Sequence, residues 1–136
     1  MAKPALRFIG NFWTMWDYPA PGKEWSLEQR MRAIKDAGFV GVTAQADAEV
    51  RRLAEQLGLR VIGYFSTGNQ SEFRNLLESQ KAAGAKHVNV QLADEDTLTP
   101  EATGLAIRLN EEARAVGIAA SIEVHRDTCT ETPEKT

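Results

Sequence analysis

Four times along the chain, a stretch with apolar residues at helical spacing runs into a glycine, and a short apolar run begins within a residue or two. The junctions read DAGFVGVTA around Gly38, QLGLRVIGYF around Gly58, AAGAKHVNVQL around Gly84 and AVGIAASIEVH around Gly117. Glycine suits such a stop because the first residue past a helix often turns left-handed, a conformation that side chains resist. The helix starts are equally readable. Ser26 with Gln29 three residues on forms a capping-box pattern ahead of Leu27, Met31 and Ile34. Asp47 is placed to cap a second helix carrying Val50, Leu53, Ala54 and Leu57 on one side. Phe73, Leu76, Leu77 and Gln80 open a third, and Thr99-Pro100-Glu101 a fourth, whose stripe is Leu105, Leu109, Ala113 and Val116.

Between the helices lie short apolar runs, 6–9, 39–42, 59–65, 87–92 and 118–124. They read as strands covered on both faces. Strand and helix therefore alternate, which predicts βαβ units and a parallel sheet. Two architectures satisfy that pattern, an open doubly wound sheet and a barrel. A receiver-like open sheet needs acidic residues after its first strand and a flavin-phosphate loop needs Ser, Thr and Gly, whereas this chain has Gly10-Asn11-Phe12-Trp13. Near the C-terminus, Thr132-Pro133-Glu134 repeats the helix-opening tripeptide Thr99-Pro100-Glu101. The expectation is a parallel (β/α)8 TIM barrel truncated after strand five, with residues 1–136 forming the N-terminal portion of one barrel domain.

Composition narrows the function classes. Of 136 residues, 43% are hydrophobic and 26% charged, the make-up of an ordinary globular chain. The net charge is -3 with Lys and Arg scattered, so there is no basic stripe for nucleic-acid phosphates. The opening MAKPALRFIGNFW, with Lys3 and Arg7 before Asn11, is too short and polar for a signal sequence or membrane span, which points to the cytoplasm. The single cysteine, Cys129, has no partner for a disulfide or a zinc pair.

In a parallel barrel, reacting groups come from the C-terminal ends of strands, here 11–13, 43–45, 65–67, 91–94 and 123–127. The last is the richest. Strand alternation in Ile122-Glu123-Val124-His125-Arg126-Asp127 sends Glu123 and His125 to one side and Ile122 and Val124 to the other. A carboxylate in a barrel mouth needs a compensating cation: a divalent metal, or an ion pair with Arg126 or a nearby lysine. His125 is either an ordinary satisfied polar group or a donor to a sugar hydroxyl. Gln91 ends strand four, where it can bond a hydroxyl or the backbone. Phe12, Trp13, Trp16, Tyr18 and Trp25 crowd the first 25 residues. Such rings stack on sugars and lid pockets, or plug a barrel mouth and staple the first helix; Trp13, nearest the strand end, is the expected substrate contact.

The strand-five motif Ile122-Glu123-Val124-His125-Arg126-Asp127-Thr128, the glycine-to-strand junctions and the strand His87-Val88-Asn89-Val90-Gln91 together resemble the N-terminal half of the xylose isomerase-like barrel superfamily. This sugar phosphate isomerase/epimerase group also includes the apurinic endonuclease of the endonuclease IV type. The resemblance covers the whole chain but only about half of a typical ~250-residue barrel. It implies that Glu123 is a ligand of a divalent metal, Mn2+ or Mg2+, and takes part in proton transfer through an enediolate. The remaining ligands would lie beyond Thr136, so activity of the isolated chain is not implied. By position, His125 and Arg126 would orient or neutralise the oxygen that becomes negative. A small sugar or polyol is the expected substrate.

Two other readings compete. An endonuclease IV-like hydrolase would need a basic DNA-facing surface, which the -3 charge opposes. A non-catalytic half-barrel would bind or assemble, and its exposed sheet edges at strands one and five would drive homo-oligomerisation.

Overall fold

The glycine stops do what their positions require. In the computed structural model, which describes residues 6–136, Gly38, Gly58, Gly84 and Gly117 all have positive φ, between 63° and 92°. In each case the next residue donates its N–H to the carbonyl five positions back: Phe39 to Ile34, Leu59 to Ala54, Ala85 to Gln80 and Ile118 to Ala113. That bond closes the helix and aims the chain back along the sheet. Lys3, weighed above, lies outside the described residues.

Four helices result, α1 (Leu27–Asp36), α2 (Ala48–Leu57), α3 (Phe73–Ala82) and α4 (Thr99–Val116). The capping box at α1 is complete: Ser26 Oγ accepts from Gln29 N–H, and Gln29 Oε1 accepts from Ser26 N–H. Asp47 Oδ1 caps α2 at Val50 N–H, 2.8 Å away. Each such cap contributes about 1 kcal/mol. Two cations tie neighbouring helices at their carbonyl ends, where the helix dipole is negative. Arg51 of α2 donates to Ala82 O at the end of α3, and Lys81 of α3 to Val116 O at the end of α4.

The strands are β1 (Ile9–Asn11), β2 (Gly41–Ala44), β3 (Arg60–Thr67), β4 (His87–Leu92) and β5 (Ala119–Ile122). They form one sheet in the order β1-β2-β3-β4-β5, and every neighbouring pair is parallel. Sequential order separates the two architectures left open by the pattern, since a doubly wound sheet reverses its order at a switch point. The molecule is half of a (β/α) barrel.

Two expectations need correction. The first strand begins at Ile9, three residues later than the apolar run at Leu6, because Leu6 and Phe8 stay exposed and β1 has a neighbour on one side only. The strands are also covered on one face rather than both. The outward set, including Val42, Ala44, Val61, Phe65, Val88, Val90 and Leu92, is buried against Met31, Leu53, Phe73, Leu77 and Leu109 of the helices. The inward set, including Thr43, Ile62, Tyr64, Asn89 and Gln91, is only half-buried. No helix among the described residues is long and apolar enough to cross a membrane.

One polar residue sits inside the helix-sheet layer. Gln80 of α3 is 3% exposed, and its Oε1 accepts from Ala46 N–H at 3.0 Å and Tyr64 N–H at 3.2 Å. Gly63 makes room for it: a Cβ there would lie 2.8 Å from that oxygen. Gln80 thereby joins the loop after β2, strand β3 and helix α3. Replacing it by Leu keeps the volume but strands two backbone donors, each worth about 1–3 kcal/mol when left unpaired. Gln80→Leu is expected to lower unfolding stability by about 2–4 kcal/mol in urea melts, and a loss below half a kilocalorie would mean that water reaches these donors.

Candidate functional site

The C-terminal strand ends gather on one rim, and the inner face just below it carries a connected polar group. Tyr64 of β3, Asn89 and Gln91 of β4, and Glu123 just past β5 occupy alternate inward positions on three adjacent strands. Glu123 continues the β5 pairing, its N–H donating to Val90 O at 2.9 Å. Its neighbours Ile122 and Val124 line the opposite side, in a cleft of about 660 Å³ against α4 and Cys129.

The bonds run in one direction. Tyr64 Oη–H donates to Gln91 Oε1 at 2.8 Å. Gln91 Nε2 donates to Glu123 Oε2 at 3.4 Å, and Asn89 Nδ2 donates to the same oxygen at 2.9 Å. Among the described residues, no Lys, Arg or His comes within ion-pair reach of Glu123. The carboxylate is half-buried and accepts on one oxygen from two neutral amides, and its second oxygen has no hydrogen-bond partner among the described residues. Of the two sequence alternatives for Glu123, the ion pair with Arg126 does not form.

The other sequence-chosen residues lie apart from this network. Arg126 is 86% exposed on its side chain and approaches only Asp127, at 3.8 Å. The His125 ring contacts Arg126 O, while its backbone is fixed by Thr130 Oγ1 and Thr128 Oγ1. A turn through Asp127, whose φ is 60°, folds the chain back on the strand ends, where Cys129 N–H donates to Leu92 O and Thr130 Oγ1 to Glu123 O. Trp13 stands in a 3₁₀ turn at Phe12–Met15, capped by Asn11 Oδ1. It is 62% exposed and stacks on Trp16 with ring centroids 5.5 Å apart. Phe12, by contrast, packs on the core under the Arg30 guanidinium of α1, and Tyr18 meets Trp25 edge-on.

Sequence reading passed over Tyr64 and Asn89. Both were visible as polar residues inside apolar strand runs, on the same face as Gln91, Asn89 one strand and Tyr64 two strands from Glu123. No group of three His, Cys, Asp or Glu among the described residues is close enough to hold a metal ion.

No family model matches the chain, and no curated protein matches it in sequence. Among solved structures, it is similar to a sugar phosphate isomerase/epimerase from Parabacteroides distasonis, with a TM-score of 0.63 at 10% identity. The match covers 89% of this chain and 52% of that one, so this chain spans about half that protein's length. At that identity the likeness is one of fold.

Burial first, and the charge of Glu123 second, hold the Tyr64 phenol above its ordinary value of 10.0. The folded state keeps this proton to higher pH than the unfolded chain does. The resulting stability is full below pH 10.0 and is lost as pH rises through the folded value. In a Tyr18→Phe background Tyr64 is the one remaining tyrosine. Its tyrosinate absorbance should then titrate above the ordinary value, and Glu123→Gln should bring the midpoint part of the way down. An unmoved midpoint would mean that the two groups do not sense each other.

Proposed function

We propose that this chain supplies strands one to five of a sugar or sugar-phosphate isomerase or epimerase, with Glu123 as the proton-transfer group. The observation that carries the reading is the Glu123 carboxylate. It stands at the rim of a barrel-type sheet, held through one oxygen by two amides, with no cationic partner and one unbonded oxygen among the described residues. The similar fold of the Parabacteroides distasonis sugar phosphate isomerase/epimerase supports the same reading.

The chemistry follows from that arrangement. A carbon acid beside a carbonyl gives its proton to the free carboxylate oxygen, and the electron pair of the broken C–H bond moves onto the carbonyl oxygen, giving an enediolate. Returning the proton to the neighbouring carbon, while that carbon's hydroxyl proton passes to the oxygen that gained charge, isomerises the substrate; a proton delivered to the original carbon from the opposite face, by a group on that side, epimerises it. Amide donors on the other oxygen hold the carboxylate in one orientation. Trp13 and the Gln91 amide are the candidate contacts for the sugar ring and its hydroxyls, and Arg126 and His125 the candidates for the oxygen that gains charge. A divalent cation, Mn2+ or Mg2+, would polarise adjacent substrate oxygens; Glu123 would be a ligand for it, and since no group of three His, Cys, Asp or Glu among the described residues gathers to hold a metal, further ligands would be needed.

Mn2+ added to the 15N-labelled chain should broaden the backbone signals of residues 122–125 selectively, and Glu123→Gln should remove that broadening. Broadening that survives the substitution takes the metal-ligand role away from Glu123.

One observation favours the assembly reading as well. Beside the cleft between α4 and β5, Val124 is 63% and Ile107 55% exposed. Apolar surface of this kind marks contact sites. Sedimentation velocity on the isolated chain should give concentration-dependent self-association that Val124→Asp shifts toward the monomer; a monomer at every concentration removes this reading.

A further inference from the structure

The inner face holds one hydroxyl whose partner is not the reacting carboxylate but the amide that serves it. Tyr64 Oη lies 2.8 Å from Gln91 Oε1, and Gln91 then has only its Nε2 end to offer Glu123. A carboxylate is an acceptor only, so a Gln91 amide turned the other way would set oxygen against oxygen. Asn89 makes the shorter bond to the same Glu123 oxygen, but its own carbonyl end has no side-chain donor among the described residues, so that amide is oriented from one side alone.

We propose that Tyr64 is a positioning residue for Glu123, acting through the Gln91 amide: it occupies Gln91 Oε1, holds Nε2 on Glu123 Oε2, and so keeps the other carboxylate oxygen turned to the concave face. This assignment rests on the proton-transfer role given to Glu123 above. Tyr64 touches neither substrate nor metal in it. The phenol is suited to the task because it donates a single, directed hydrogen bond. Being held above its ordinary titration range, it stays a donor at neutral pH and well into alkaline conditions. Other titratable or charged groups on this side include Arg60, two inward positions below Tyr64 on β3, His87, two inward positions below Gln91 on β4, and His125 in the loop past β5; none of the three has a side-chain hydrogen bond to Tyr64, Gln91 or Glu123.

The side-chain amide signals of Gln91 and Asn89 in the 15N-labelled chain report the arrangement directly. In Tyr64→Phe, the Gln91 side-chain protons should shift and exchange with water roughly fivefold faster, the effect of losing one ordinary hydrogen bond. The Asn89 signal should stay, since its bond to Glu123 is intact. In Glu123→Gln both signals should move. Backbone signals unchanged outside the inner face certify that Tyr64→Phe is folded. A Gln91 signal indifferent to Tyr64→Phe overturns the proposal, as does one that moves only together with Asn89. The Mn2+ measurement separates the two ideas: broadening that survives Glu123→Gln, with the Gln91 response intact, rejects the ligand role and keeps the clamp. Broadening lost in Glu123→Gln, with Gln91 indifferent to Tyr64, does the reverse.

Discussion

Everything on the inner face depends on how each helix ends. A helix that stopped one residue early or late would feed its strand to the sheet with the opposite set of side chains inward, because alternation along a strand has a period of two. The left-handed glycine and the bond from the next N–H to the carbonyl five residues back fix that phase four times over. An L-residue forced into the same conformation costs about 1–2 kcal/mol. The stop is therefore a constraint on register as much as on helix length. Asn89, Gln91, Tyr64 and Glu123 meet because three such stops set β3, β4 and β5 in phase.

The second constraint is the one-sided core. Helices bury the outward residues of the sheet, and Phe73, Leu77, Leu53 and Met31 are sealed there with almost no exposure. The same burial would exclude a polar side chain unless it brought partners, and Gln80 is admitted because it accepts from the backbone N–H groups of Ala46, in the loop after β2, and Tyr64, in β3. Its clamp lands on the backbone of Tyr64, whose side chain leaves by the other face toward Gln91. One residue thus links the packed layer to the polar layer: the backbone of Tyr64 is held from the helix side and its hydroxyl acts on the inner side.

The elements and their order of chemistry were legible in the residues because they rest on local rules. Ser26 and Gln29, Asp47, Pro100 and the glycine stops each carry their own physical reason and need no knowledge of distant contacts. Glu123 was legible for a similar reason, a carboxylate at a strand end where burial demands a partner. What stayed hidden was the identity of that partner. Arg126 is close in sequence, yet its side chain stands in solvent beside Asp127. Asn89 and Gln91 are more than 30 residues distant, and that both reach Glu123 is settled by the register of β4 against β5. The one-sided covering was missed because continuous apolar runs look alike whether the half-buried face holds Ile62 and Thr43 or a full core.

Shared fold at 10% identity has a physical reading of its own. Pattern, caps and left-handed glycines tolerate many residue choices, so the architecture persists while the side chains that satisfy it change. The inner strand-end positions escape that tolerance in the other direction: they contribute little to the buried layer, and their residues are free to be set by chemistry. An acidic side chain there, half out of water and held by neutral amides, is a poor choice for stability alone, since a hydroxyl or a small apolar residue would avoid its desolvation. Its presence, with two amides and a phenol arranged around it, is the part of this molecule that folding does not explain, and that is the physical ground for assigning it a reaction.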